Sequence, residues 1–336
     1  MKEQRGILAV VGTLALVGLL GLAGRAAAQP SATQVLTDAG FSAADIQQVL
    51  NGQFVTGNVT AVSDRDLSLA MAFVVKTSPD ALSRQIMAHN LIGSDPQIQT
   101  WGAFKDAGSL ADLSKLQVTS AAAQAFLNAK PGESLNLAPN EIAAFSALKG
   151  NANPQQAVQA QLRSMLLARF QAYQAWGLTG IAPYARGGDR QGDVAGELRK
   201  ITEATRLLQK YMPAFQAVLL DYPKATVPEL QQSFFWVRYD ISGAPTYVLT
   251  QVLAAPIGDA RVVAQRQYYV STGYNAGQAV AGLLPVQEGT LVAYATHVFT
   301  DQVGGLGSSM KQSIGRRMMA TQLQAIFDKA RKNAVQ

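Results

Sequence analysis

The strongest constraint on the fold is a run of five strand-like segments near the end of the chain. Between about residues 227 and 300, apolar and polar residues alternate with a period of two, which is typical of strands with one buried face. The segments are QSFFWVRYDIS, PTYVLTQVLAA, ARVVAQRQYYVST, QAVAGLLPV and GTLVAYATHVFT. Because short connections join consecutive strands into antiparallel pairs, residues 221–336 are predicted to open with an antiparallel β-meander.

A glycine-containing segment, GGLGSSMK, follows the last predicted strand. A phosphate-binding Walker loop needs a lysine directly after its last glycine, whereas three residues separate Gly307 from Lys311. We therefore interpret the segment as a turn that leads into a serine-capped helix. This helix is predicted from about Met310 to Lys332. Its apolar surface is broad, so we expect the meander to cover much of it.

The residues before the meander fall into two further parts. Residues 29–98 are predicted to form a helix, the strand DLSLAMAFVVK and a second helix begun by Ser78 and Pro79. Residues 99–220 are predicted to be mainly helical, and the clearest helix lies in NPQQAVQAQLRSMLLARFQAYQAWG. This helical region is interpreted either as an inserted lid over the sheet or as a separate domain.

The first residues predict export from the cytoplasm. A basic start, the apolar run ILAVVGTLALVGLLGLAG and the small residues of AAAQ are typical of a signal peptide over residues 1–28, cleaved near Ala28. A retained N-terminal anchor is the alternative interpretation. Cleavage would lower the formal net charge from +6 to +4, since residues 1–28 contain three basic residues and one acidic residue. We expect a cysteine-free periplasmic protein stabilised by its hydrophobic core, with no nucleic-acid partner.

The order of these elements resembles that of the START-like, or SRPBCC, helix-grip superfamily. The resemblance is carried by LAMAFVVKTSPDALSRQIM, by the strand segments of the meander and by GSSMKQSIGRRMMATQLQAIFDKARK. It implies an α+β fold in which an antiparallel β-meander packs on a long C-terminal helix, with a hydrophobic cavity between them. The large, mainly helical region before the meander departs from the superfamily, which usually has a short link there.

Sequence motifs for catalysis are missing. The chain has two histidines and no cysteine, it lacks a G-x-S-x-G motif, and its potential ligands do not have the spacing of a metal site. We therefore assign no catalytic residue and expect no metal or cofactor. His89 lies near the end of a predicted helix, where capping of the last carbonyl groups explains it.

Polar residues within the predicted strands are the candidates for ligand binding. They are Trp236, Arg238, Asp240, Tyr268 and His297. Charged side chains on an apolar strand face are costly unless they are paired or hydrated. One interpretation is a pocket whose polar groups orient an apolar ligand. The other is a cross-strand salt bridge on a solvated face, formed by Arg238 with Asp240 or Asp301.

Together these features predict an exported, non-catalytic protein that binds a hydrophobic small molecule or a lipid between the sheet and the C-terminal helix. Lys311, Arg316 and Arg317 are interpreted either as a contact with anionic lipid headgroups or as an ordinary solvated helix face.

Two alternative functions stay open at this point. The first is an envelope scaffold that binds a protein partner through its helical region. Exposure of the apolar residues of the clearest helix would favour it; they are Val158, Leu162, Phe170 and Trp176. The second is a cyclase- or hydrolase-type enzyme in which His297 acts as a general base with Asp240 or Asp301.

Overall fold

A single large antiparallel sheet forms the centre of the molecule in the computed structural model, which describes residues 30–241, 243–305 and 307–333. The first part of the chain contains α1 (Ala32–Asp38), α2 (Ala43–Leu50), β1 (Val55–Gly57), β2 (Asp66–Val75), α3 (Pro79–Met87) and β3 (Ile98–Ala103). The predicted signal peptide lies outside the described residues.

A mainly helical segment, residues 104–230, follows β3. Its elements are α4 (Ser120–Leu127), α5 (Pro139–Ser146), α6 (Pro154–Trp176), the short strands β4 (Tyr184–Ala185) and β5 (Gln191–Gly192), α7 (Val194–Ala204), α8 (Arg206–Tyr211) and α9 (Pro213–Asp221). The meander and the last helix complete the fold, as β6 (Gln231–Ile241), β7 (Ala244–Ile257), β8 (Ala260–Val270), β9 (Ala276–Val286), β10 (Gly289–Phe299) and α10 (Ser308–Asn333).

The strand order explains how the helical segment joins the sheet. The order is β1-β2-β10-β9-β8-β7-β6-β3, and β2 pairs with β10 from Val75–Thr290 to Asp66–Phe299. At the other edge β3 pairs with β6. The helical segment therefore leaves and re-enters the sheet at two neighbouring strands. The predicted α+β class, with an antiparallel meander and a long C-terminal helix, is confirmed.

The sheet is covered on both faces. On the first, which we call the cavity face, Phe235 and Val237 of β6 pack in a cluster that includes Leu82 of α3 and reaches Phe327 of α10. The opposite face, which we call the insertion face, packs on the helical segment. There the ring of Tyr173 in α6 stacks on Tyr268 of β8, with centroids 3.9 Å apart. Sheet and helical segment thus share one hydrophobic core.

Local sequence signals account for most helix boundaries. A reciprocal capping box between Ser42 and Asp45 begins α2, and Ser78 caps α3, whose first residue is Pro79. In the helical segment α9 begins at Pro213, since proline lacks the N–H that a helix interior needs.

Two details differ from the sequence-based expectations. Residues 98–103 form the edge strand β3, although the region from residue 99 reads as helical, because pairing with β6 decides their conformation. The expectation that much of α10 is covered is wrong, since no described residue of this helix is fully buried. Only one side of α10 contacts the sheet. Within residues 30–333, no described helix has the length and apolarity needed to cross a membrane.

Candidate ligand-binding cavity

A cavity of about 230 Å³ lies between the cavity face of the sheet, α3 and the C-terminal half of α10. Its wall is mainly apolar and includes Phe73, Leu82, Phe235, Val252, Leu283 and Phe327. The space lies where the resemblance to the helix-grip superfamily implies a cavity, between the meander and the last helix. Burial of apolar ligand surface is the interaction that such a wall favours.

Two alanines on the central strand β9 create the space. Ala279 and Ala281 both line the cavity and are only partly buried. In the sheet Ala279 pairs with Gln265, and Ala281 pairs with Val263 and Tyr294. A larger side chain at either alanine would project into the volume that a ligand would use.

One wall is fixed by aromatic contacts from α10. The ring centroid of Phe327 lies 5.0 Å from that of Phe73 and 5.0 Å from that of Tyr294, edge-on to the latter. One turn later, the Arg331 guanidinium lies 4.9 Å from the ring centroid of Phe54 and donates to the carbonyl oxygen of Gly52. These contacts hold the C-terminal half of α10 against β2 and against the residues around Phe54.

Four polar side chains interrupt the apolar wall: His89, Gln265, Tyr294 and Arg331. Arg331 is occupied, since it also pairs with Asp328 at 3.1 Å. Burial lowers the pKa of His89, so its imidazole is neutral at neutral pH. Burial also raises the pKa of Tyr294 to about 12, which keeps its hydroxyl protonated. The cavity therefore suits an uncharged polar group on an otherwise apolar ligand.

His89 reaches the cavity because α3 ends just before it. Its backbone takes the left-handed conformation, with φ of 61°. Its ring packs on Phe235 and Trp101, with centroid distances of 4.7 Å and 5.7 Å. Among the described residues, neither His89 nor Gln265 has a side-chain hydrogen-bond partner within the protein. Both can therefore bond to a ligand.

The predicted ligand-binding residues lie elsewhere. The Trp236 indole is buried on the insertion face and donates to the carbonyl oxygen of Asp112 at 2.9 Å. Tyr268 is buried on the same face, against Tyr173. Nearer the end of β6, Arg238 is half-buried and Asp240 is exposed. None of these four residues lines the cavity, because successive side chains of a strand point to opposite faces.

His297 belongs to a buried pair on the insertion face. Its Nδ1 lies 2.8 Å from Oδ2 of Asp66, and both side chains are almost fully buried. The same Oδ2 accepts a hydrogen bond from the Val62 amide. The carboxylate partner of His297 is thus Asp66, whereas Asp301 binds Arg65 and Arg186 at the surface. This pair does not contact the cavity.

A row of buried polar residues crosses the insertion face and includes His297. Directly paired positions on five adjacent strands carry Gln251, Arg266, Gln278, His297 and Ser68. The Arg266 guanidinium donates to the side chains of Gln278, Tyr173 and Thr202 and to the carbonyl oxygen of Leu219. Because buried polar groups are costly unless hydrogen-bonded, this row favours docking of the helical segment in one position.

A second polar cluster joins α7 of the helical segment to the residues just before β2 and just after β10. Arg65 pairs with Glu197 at 2.7 Å and with Asp301 at 2.9 Å. Burial raises the pKa of Glu197 to about 7 in spite of the adjacent Arg65. Burial also opposes ionisation of Asp301, but hydrogen bonds from Arg65 and Asn275 outweigh it and lower the Asp301 pKa. The two carboxyl groups thus ionise in different pH ranges.

The remaining sequence-based candidates lie on two helices. Lys311 and Arg317 are exposed on α10, and Arg316 is half-buried. In α6, Val158, Leu162 and Phe170 are fully buried, whereas Trp176 is 67% exposed. The apolar side of α6 is therefore used mainly inside the protein.

Sequence reasoning missed the cavity's own polar groups. His89 has the signature of a helix end, and nothing local indicates that its ring turns toward the sheet. Gln265 gives a clearer signal, since it shares a strand face with Val263 and lies opposite to Arg266. Small residues at Ala279 and Ala281 on a central strand are the other signal that could have located the space.

Comparisons with known proteins give one structural similarity. No protein-family model matches the chain, and no curated protein matches it. Among solved structures, the chain is similar to the crystal structure of Ara h 8.0201. The two share 12% sequence identity at a TM-score of 0.21, over 41% of this chain and 85% of that chain.

Proposed function

We propose that this protein binds a hydrophobic small molecule or a lipid in the cavity between the sheet and α10, without converting it chemically. The observation that carries the proposal is the apolar space beside Ala279 and Ala281, where the side chains of His89 and Gln265 have no hydrogen-bond partner among the described residues. We further propose that the protein acts after export to the periplasm, on the basis of its first 28 residues.

The cavity limits the ligand that we propose. Its volume of about 230 Å³ is below the roughly 300–1,000 Å³ of most small-molecule sites. A single acyl chain or a compact ring system with one uncharged polar group fits this space and this wall. A fully charged headgroup would have to stay outside, since Arg331, the cationic residue of the wall, is already paired with Asp328.

Filling the cavity tests the proposal. We expect Ala281→Trp to lower the affinity for a fluorescent long-chain alcohol, used as probe, by at least about tenfold, because the indole would occupy the ligand volume. The measurement is a fluorescence titration of the purified protein. Ala125→Trp, on the exposed side of α4, is the matched control and should bind the probe as the wild type does.

Two further readouts keep the result interpretable. Circular dichroism and thermal unfolding establish that the Ala281→Trp protein is folded. His89→Leu is a milder variant that removes a free polar group, and it should weaken a probe with a terminal hydroxyl more than a purely apolar one. Equal probe binding by wild type and folded Ala281→Trp would contradict the proposal.

A protein partner in the cell envelope is a second hypothesis for the helical segment. The exposed indole of Trp176 supports it, while Val158, Leu162 and Phe170 are used in the core. Retention of an envelope protein by the wild type, and its loss with Trp176→Ser, is the expected result of a pull-down. An enzyme that uses His297 has less support, since its imidazole is buried against Asp66 and away from the cavity.

A further inference from the structure

Three exposed apolar side chains form a row on the outer side of α10. Met310, Ile314 and Met318 are 71%, 55% and 69% exposed. Their spacing of four residues places them on one side of the helix, over roughly 12 Å of its length. Single exposed apolar residues are ordinary in folded proteins, but a contiguous row marks an interaction surface. We call these three residues the exposed row.

The opposite side of α10 is the side that packs on the protein. A Cβ atom added at Gly315 would meet the Leu67 side chain at 2.9 Å, so the helix lies close to β2 there. Farther along, Ile326 and Phe327 line the cavity. The exposed row therefore faces away from the sheet, and no described part of the chain covers it.

The charge of α10 is strongly positive. The helix contains six basic residues and one acidic residue, Asp328, which pairs with Arg331. With about 100° of rotation per residue, Lys311 and Arg317 project on either side of the exposed row. Both are exposed. Apolar residues between flanking cations are the composition of helices that lie in the surface of anionic membranes.

We propose that the outer side of α10 docks the protein on a bilayer that contains anionic phospholipid. Met310, Ile314 and Met318 enter the boundary between headgroups and acyl chains, and Lys311 and Arg317 contact the phosphates. Nucleic acid would satisfy these cations but leave the exposed row in water. The surface is distinct from the cavity, so docking does not depend on whether the cavity holds a ligand.

Vesicle sedimentation tests the proposal. The protein is produced as residues 29–336, because the apolar run within residues 1–28 could itself bind vesicles. We expect binding to vesicles of three parts phosphatidylcholine and one part phosphatidylglycerol, and at least about tenfold weaker binding to phosphatidylcholine alone. Added salt should weaken the binding to the anionic vesicles, since it screens exposed charges.

Two variants separate the apolar and the ionic contributions. Met310→Ser/Ile314→Ser/Met318→Ser should lower the partition coefficient at least about tenfold, because apolar burial contributes to interfacial binding. Lys311→Glu/Arg317→Glu should lower it by at least about 25-fold, from roughly fivefold for each of the two cations removed. Lys105→Glu/Lys115→Glu, which changes two exposed lysines of the helical segment, is the charge-matched control. It should change binding less than about twofold.

The outcomes discriminate the proposal from other uses of this surface. Equal binding by wild type and the triple serine variant would overturn it, and so would equal binding to neutral and anionic vesicles. Sedimentation velocity without lipid provides a second measurement. A dimer that the triple serine variant dissociates would show that a second copy of the chain covers the exposed row, which would also overturn the proposal.

Discussion

At the scale of single residues, Glu197 is a carboxyl group whose surroundings favour its protonated form. Its side chain is 5% exposed, and burial raises its pKa from 4.5 to about 7 although Arg65 lies 2.7 Å away. Since the folded protein binds this proton more tightly than the unfolded chain, the contribution to stability is present below about pH 4.5. It is lost as the pH rises through about 7.

This carboxyl group gives a pH-dependent prediction. Glu197→Gln should remove the fall in unfolding free energy between about pH 4.5 and 7, which amounts to about 3 kcal/mol at most for the wild type. Urea unfolding at a series of pH values measures it. Glu133→Gln changes an exposed glutamate and is the control. It should leave the pH dependence of the unfolding free energy unchanged. If Glu197→Gln kept the pH dependence of the wild type, Glu197 could not be its cause.

The same scale shows what the sequence could not indicate about the site. The alternation of side chains along a strand correctly places Trp236, Arg238 and Asp240 on one face of β6. It does not show which face of β6 borders the cavity. Which face borders the cavity depends on how the chain folds over the sheet. The helical segment covers the face that carries Trp236, and α10 covers the opposite face. A polar residue on a predicted strand can therefore belong to a buried hydrogen-bond network, as Arg266 does, as well as line a cavity.

At the scale of elements, the end of α6 depends on one glycine. Gly177 has φ of 58°, and a Cβ atom there would collide with the carbonyl oxygen of Tyr222. Gly177→Ala should therefore destabilise the protein by at least about 3 kcal/mol, from backbone strain and displacement of the chain after α9. Gly188→Ala is the matched control: its φ is 57° with open space around the Cβ position. It should cost only about 1–2 kcal/mol. If denaturant unfolding gave the same loss of unfolding free energy for both variants, the steric explanation would be contradicted.

Elements whose signals are local could be predicted from the sequence. Ser42, Ser78 and Pro213 define helix starts, and the two-residue period defines the meander from β6 to β10. Elements fixed by distant partners could not. β3 takes its conformation from pairing with β6 more than 130 positions later in the chain, with Trp101 opposite Val237. The exposed outer side of α10 follows from what packs behind it, which helical periodicity alone does not show.

At the scale of the whole molecule, the helical segment and the sheet should unfold together. The largest hydrophobic cluster contains Leu162 and Phe170 from α6 and Trp236 and Tyr268 from the sheet. We expect a single calorimetric transition, with equal calorimetric and van't Hoff enthalpies. Phe170→Ala should shift that transition as a whole, by about 3–5 kcal/mol of unfolding free energy. Two resolved transitions, or a shift confined to part of the heat absorption, would show that the helical segment is an independent domain.

The positions of the two alanines of β9 have a consequence for which parts of the protein can change independently. Their methyl groups set the depth of the space, while the hydrogen-bonded row that positions the helical segment lies on the reverse of the sheet. The ligand preference that we propose and the docking of the helical segment therefore depend on different side chains of the same strands. Replacement of Ala279 or Ala281 by serine, glycine or valine would change the lining of the cavity without changing the contacts between the sheet and the helical segment.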